Sequence, residues 1–214
     1  EAGAVILAPG FCLYDPAQKP EFGYGTLPNV ISSLQFERIL SASGPFAGKV
    51  LRPSDGQKPA RMAFIQCVGS RDKEHNYCSS VCCMYAIKEA IIAMEHEPEL
   101  ACEIFYMDIR AHGKGFDEYY ERAKRLGIRF TRCRPSRIRP AGTNGNLEIG
   151  YVDEETQEYG ARELDMVVLS AGLQPPAEAR ELAGTFGIEL NEHGFARTRP
   201  FDAVATTRDG VYVC

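Results

Sequence analysis

The chain has 214 residues, 44% hydrophobic and 25% charged, with a formal net charge of −5 and eight cysteines. That is apolar material for one sizeable core, or for one domain and part of a second. The acidic balance and the lack of a basic run exclude nucleic acid as a natural partner; no apolar run is long enough to be a transmembrane segment, and the first residues lack a secretory signal.

Residues 3–8 form a continuous apolar run closed by Pro9-Gly10, which predicts a buried strand and a turn. Residues 11–30 are rich in Pro, Gly and aromatics and read as loop. Residues 32–40 predict a short helix with Leu34, Phe36, Ile39 and Leu40 as its apolar positions, and residues 41–60 are again punctuated by Gly and Pro. Residues 61–66 predict a buried strand. Residues 79–96 have a helical period, with Cys83, Ile87, Ile91 and Met94 on one face. Residues 102–107 read as a strand, 116–126 as a helix stopped by Gly127, and 128–131 as a further strand. This alternation predicts a parallel sheet with right-handed crossovers. Residues 136–139, 146–152 and 164–170 read as three antiparallel strands, the last carrying the run Met166-Val167-Val168-Leu169 by which it can rejoin the buried sheet. The expected fold class is α/β: a Rossmann-like parallel sheet with helices and a three-stranded antiparallel meander. Residues 61–172 are then a degenerate dinucleotide-binding domain, with residues 1–60 leading in and residues 173–214 leading out.

Four of the cysteines fall in residues 67–83, CVGSRDKEHNYCSSVCC. A strand feeding a dinucleotide site is followed by G-x-G-x-x-G, so that the pyrophosphate can approach the backbone at a helix N-terminus. Here Cys67-Val68-Gly69-Ser70-Arg71 keeps one glycine. Asp108, near the end of the next strand, is the candidate ribose-binding acid, although it lies beyond the usual separation of about 20 residues. An iron–sulfur cluster is an anion that suits the same helix entrance. Cys78 and Cys82, four apart, are expected to project from one side of the first helical turn. Cys67 then approaches from the strand end, and Arg71 and Lys73 offset charge. Four sulfurs with no histidine at ligand spacing favour a [4Fe–4S] or [2Fe–2S] cluster; a four-cysteine zinc site is the closest rival. The plain alternative for Cys83 is a small core residue heading the Ile87 and Ile91 stripe. A Cys82–Cys83 disulfide is disfavoured, because neighbours on a helix point about 100° apart. Cys12, Cys102, Cys133 and Cys214 are given no role, His75 reads as solvated loop, and no catalytic residue is assigned.

Residues 4–10, AVILAPG, and 167–172, VVLSAG, resemble the strand-plus-glycine elements by which two-dinucleotide flavoproteins leave their two cofactor domains. That resemblance makes residues 1–60 a connector from a flavin domain and 173–214 a return segment toward it. It places Gly10 and Gly172, with Gly69 and Asp108, at cofactor-binding positions. More specifically, IQCVGSRD at 65–72 with YCSSVCCMYAIKEA at 77–90 resembles the A subunit of heterodisulfide reductase and its counterpart in the quinone-interacting membrane-bound oxidoreductase. YMDIRAHGKG at 106–115, EYYERA at 118–123 and GIRF at 127–130 extend the likeness over nearly the whole chain. The resemblance implies an FAD- and iron–sulfur-containing oxidoreductase subunit for anaerobic disulfide reduction, with a [4Fe–4S] cluster on Cys67, Cys78, Cys82 and Cys83. It also implies other subunits of a heterodisulfide reductase-like complex as partners, and a cytoplasmic location, in a complex that can associate with a membrane. The family's N-terminal G-x-G-x-x-G and its C-x2-C-x2-C motifs do not occur in these residues. The segment alone is therefore expected to be inactive and to hold no FAD tightly. Two further functions fit the residues: an NAD(P)H-dependent disulfide oxidoreductase domain using Cys82 and Cys83, and a non-catalytic scaffold.

Overall fold

The computed structural model describes residues 2–214. In chain order the elements are β1 (Val5–Leu7), β2 (Cys12–Leu13), β3 (Val30–Ser32), α1 (Ser33–Leu40), β4 (Arg61–Val68), α2 (Cys82–His96), β5 (Ala101–Tyr106), α3 (Phe116–Arg125) and β6 (Arg129–Arg132). They continue as β7 (Arg137–Ala141), β8 (Asn146–Val152), β9 (Tyr159–Leu164), β10 (Met166–Ala171), β11 (Leu173–Gln174), α4 (Ala179–Phe186), β12 (Thr198–Arg199), β13 (Asp202–Thr206) and β14 (Val211–Val213).

Five strands form the central sheet in the order β3-β10-β4-β5-β6, all parallel. A parallel sheet is covered on both faces, so its inner strands read as unbroken apolar runs; all six residues of β10 are buried, and all of β4 after Arg61. Side chains alternate between the two faces. Met62, Phe64, Ile104 and Val168 pack under the helices with Phe36, Ile87, Ile91 and Ala123. Ala63, Ile65, Phe105 and Val167 pack under the meander with Leu147, Ile149, Tyr151 and Leu164. Among the described residues no helix is long and apolar enough to cross a membrane.

β3 lies inside the span read as a connector, yet it forms the sheet edge beside β10 and leads straight into α1. Three residues between prolines and glycines carry too little pattern to be recognised alone. α1 starts on a capping box: Ser32 Oγ accepts from the Gln35 N–H, and Gln35 Oε1 accepts from the Ser32 N–H. Phe36, Ile39 and Leu40 are buried as expected, whereas Leu34 faces outward.

The meander is β7-β8-β9. Its third strand, β9, falls in the gap before the strand expected at 164–170; Tyr159, Ala161 and Glu163 lie on its exposed side and leave no apolar run to mark it. The expected strand at 164–170 instead divides at Asp165, which ends the meander and opens β10. Asp165 Oδ2 accepts the N–H groups of Ala60 and Arg61 at 2.8 Å each, pinning the start of β4 beside β10. Asp165→Ala is expected to lower the unfolding free energy by about 2–3 kcal/mol. Asp165→Asn keeps an acceptor and should lose less than half of that; equal losses in urea denaturation would contradict this role.

The apolar run at 3–8 shortens to β1, which is not a buried strand. It forms the edge of a small sheet, β1-β14-β13-β12, with Ile6 exposed and Leu7 inward. The two sheets are joined through β2 and β11, which pair antiparallel (Leu13 with Leu173, Cys12 with Gln174).

Candidate functional site

Three neighbouring strands of the central sheet end beneath the cysteine loop, the edge at which α/β sheets bind ligands. Cys67 is the next-to-last residue of β4, and a φ of +60° there kinks the strand. The register of β10 against β4 shifts at the same level, between Leu169 and Ala171. Such a bulge re-aims a side chain. α2 begins with Cys82 and Cys83. The Cys82 thiol donates to the Ala171 carbonyl at the end of β10 (3.6 Å), and the Cys83 thiol to the Asp108 carbonyl just beyond β5 (3.7 Å).

Cys78 is not on the first helical turn. The helix starts at Cys82, and Ser80, with a φ of +64°, turns the chain out of helical geometry between the two cysteines. The Ser80 N–H instead points back to Cys78 Sγ at 3.3 Å. Of the six non-glycine residues with positive φ among those described, Cys67, Arg71 and Ser80 lie in this one loop. Left-handed backbone at such residues is strained, and strain of this kind gathers at functional sites.

The four thiols lie close enough to sense one another's charge. Burial pushes the Cys67 thiol up to about 12, with Cys83, Cys82 and Cys78 adding to the rise and Arg71 opposing it. Burial likewise raises Cys82 and Cys83. Among the described residues no three His, Cys, Asp or Glu gather closely enough to hold a metal ion. The helix entrance has no side-chain cap, which leaves its first N–H groups available to an anion.

Gly69, Gly172 and Asp108 come together around this loop; Gly10 does not. A Cβ on Gly69 would lie 2.1 Å from the ring of Tyr14, so the side where a phosphate would approach is filled by an aromatic ring. A Cβ on Gly172 would lie 2.9 Å from the Gly69 carbonyl oxygen, which shows how tightly the end of β10 passes the loop. Asp108 is engaged by Arg71 and Arg110. Burial pushes its carboxyl up, but hydrogen bonds from Arg110 and Arg71 outweigh this and hold it below the usual range. Gly10 lines a separate cavity of about 220 Å³ with Leu7, Phe195 and Cys214.

Several participants were not read from the sequence. Arg110 approaches Cys78, whereas Lys73 is exposed. The Tyr85 hydroxyl donates to the same Ala171 carbonyl as Cys82, at 2.8 Å; its position three residues after Cys82 on one helix face is the signal that could have found it. Ser79 Oγ accepts the Leu173 N–H at 2.8 Å. His75 is not solvated loop: its ring lies edge-on to Tyr14 and Tyr77, and Nε2 sits 2.9 Å from Gln174 Nε2. Tyr77 continues this row of rings to His193 (4.6 Å) and Phe195 (5.7 Å), and its hydroxyl donates to the Leu173 carbonyl. Cys102 and Cys133 are buried, as expected of core residues.

No family model matches the chain. It is 46% identical, over its full length, to an iron-sulfur A subunit (number 2) of the CoB–CoM heterodisulfide reductase of Methanopyrus kandleri, covering 33% of that protein. It is 45% identical, again over its full length, to the A subunit of the H2:CoB–CoM heterodisulfide,ferredoxin reductase of Methanothermobacter marburgensis, also covering 33%. The thioredoxin reductase of T. acidophilum shares the fold, with a TM-score of 0.54 at 16% identity over 99% of this chain and 56% of that one. The chain thus spans about a third of the length of the curated relatives it matches. Along its whole length it is similar to one stretch of the heterodisulfide reductase A subunits.

Proposed function

We propose that this segment is an electron-transfer domain of an oxidoreductase subunit that uses FAD and iron–sulfur clusters, and that Cys67, Cys78, Cys82 and Cys83 hold one [4Fe–4S] cluster. The supporting observation is the placement of the four cysteines, at a strand end, in a loop and at a helix start, around one uncapped helix entrance. The donor set fits the group. Thiolates suit iron–sulfur clusters, Ser80 offers an N–H to Cys78, and Arg71 and Arg110 supply positive charge beside an anion. A bound cluster would supply one-electron storage. The residues of this chain hold it, limit water beneath the loop and balance its charge. In the complete protein FAD is the second carrier, with Gly10 on its side. The partners are the other subunits of a heterodisulfide reductase-like complex, where the disulfide is reduced.

The nicotinamide reading is weaker on two counts. Tyr14 fills the approach to Gly69, and Asp108 is held by two arginines instead of being free for a ribose. Dithiol exchange at Cys82 and Cys83 is also disfavoured, because both stand in α2 and neighbours on a helix point about 100° apart.

The test is iron and acid-labile sulfide analysis of the full-length protein, purified without oxygen, alongside single alanine variants. Cys67→Ala, Cys78→Ala and Cys82→Ala should each lose one cluster's share of both elements, with the matching signal gone from the spectrum of the reduced protein. Cys102→Ala and Cys133→Ala should retain them. Parental iron and sulfide in Cys82→Ala, or zinc in their place, would refute the assignment.

A further inference from the structure

Helix α2 carries a carboxyl that the cysteine chemistry does not use. Glu89 is 3% exposed, and its Oε2 is buried with no hydrogen-bond partner. An ionised carboxylate left in that state costs several kcal/mol, so its retention calls for an explanation. Glu89 lines a cavity of about 340 Å³ bordered by α1, the start of α2 and the β2 and β11 strands. The other polar side chains of the wall are Glu37, Ser33 and Tyr85. Two carboxyl side chains and the Ser33 hydroxyl therefore border this space, without a basic side chain, while the Tyr85 hydroxyl is turned to the Ala171 carbonyl. The nearest cation, Lys88, lies outside the wall and pairs with Glu37 at 3.6 Å. Around the cavity Phe11 and Leu34 are each 58% exposed and Val81 42%, although they come from three separate parts of the chain.

An acidic floor beneath an apolar rim has a defined complement. We propose that this cavity receives the ammonium or guanidinium group of a lysine or arginine presented by another polypeptide segment. The apolar stem of that side chain lies against Phe11, Leu34 and Val81, and its charge meets Glu89 and Glu37. A polypeptide is favoured over a free amine because residues flanking the cation can cover the exposed rim, which a small amine leaves wet. The assignment does not depend on the cysteine reading, since none of the four motif thiols lines this cavity.

The protonation chemistry agrees. Burial, then the neighbouring Glu37, pushes the Glu89 carboxyl up to about 9, with Lys88 pulling the other way. At neutral pH Glu89 therefore holds a proton that an arriving cation displaces, so binding releases one proton and strengthens as pH rises toward 9.

Calorimetry on the full-length protein tests this with acetyl-Leu-Arg-Leu-amide, its citrulline counterpart, which has the same shape without the charge, and n-butylguanidinium. The arginine peptide should bind about tenfold more tightly per pH unit between pH 6 and pH 8, and more tightly than the citrulline peptide or n-butylguanidinium by at least about tenfold. Glu89→Gln should abolish the pH dependence and reduce the preference for charge, and Phe11→Ala should weaken the peptide and, through the shared stem, n-butylguanidinium as well. Equal affinity for arginine and citrulline peptides, unchanged binding in Glu89→Gln, or n-butylguanidinium binding as tightly as the peptide would each overturn the proposal.

Discussion

Gly69→Ala is expected to destabilise the protein by about 2–5 kcal/mol. Two costs add. The φ of +70° at Gly69 is left-handed, where an alanine loses about 1–2 kcal/mol. The new methyl would also lie 2.1 to 2.4 Å from three ring carbons of Tyr14. Forcing extra volume into a packed site costs about 1–3 kcal/mol, and this site is among the least forgiving, because Tyr14 is 1% exposed and its N–H donates to the Gly172 carbonyl at 2.8 Å. The ring cannot move without dragging the end of β10. Urea denaturation of Gly69→Ala, Tyr14→Ala and the double variant separates the two costs. The double variant should lose at least about 1 kcal/mol less than the sum of the singles; strict additivity would show that no collision occurs.

Glu89→Gln should do the opposite and stabilise the protein at neutral pH. The folded carboxyl lies at about 9, against an ordinary value of 4.5. Between those values the unfolded chain has released its proton and the folded chain has not. Stability therefore falls as pH rises through this window, by at most about 1.4 kcal/mol per pH unit. It is fully present below pH 4.5 and has levelled at its lowest above pH 9. Glutamine removes the titration. Its buried amide still lacks a partner, so the net gain at pH 7 is expected to be about 2 kcal/mol. Unfolding curves at pH 5, 7 and 8.5 should converge for the two proteins at the acid end and separate above it. Parallel curves would mean that Glu89 titrates normally.

Both predictions turn on contacts that no local pattern announces, and the same distinction governs what the chain revealed beforehand. β4, β5 and β10 were legible because strands covered on both faces are continuously apolar, and α2 and α3 because their apolar residues recur at helical spacing. β3 was not, since three residues acquire meaning only against β10. β9 was hidden because its exposed side chains leave no apolar run to mark it. At the site, the cysteine spacing drew attention to the loop that the structure places at the ends of β4, β5 and β10. The placement of Cys78 on the helix failed because Ser80 adopts a left-handed conformation, which a serine does not advertise. Tyr14 and Arg110 were missed for another reason: they reach the loop from far along the chain, Tyr14 lying 55 residues before Gly69 and Arg110 27 residues after Cys83.

The two sheets meet through only two short antiparallel strands, β2 and β11. Left to itself such a joint would swing. Here Tyr77, projecting from the cysteine loop, wedges between His193 and Phe195 and ties its hydroxyl to Leu173, so any swing must first unseat those rings. The gap separating the sulfur-rich loop from the Gly10 face is thereby gripped by the loop's own tyrosine, which makes it a fixed span of the architecture and not an adjustable one.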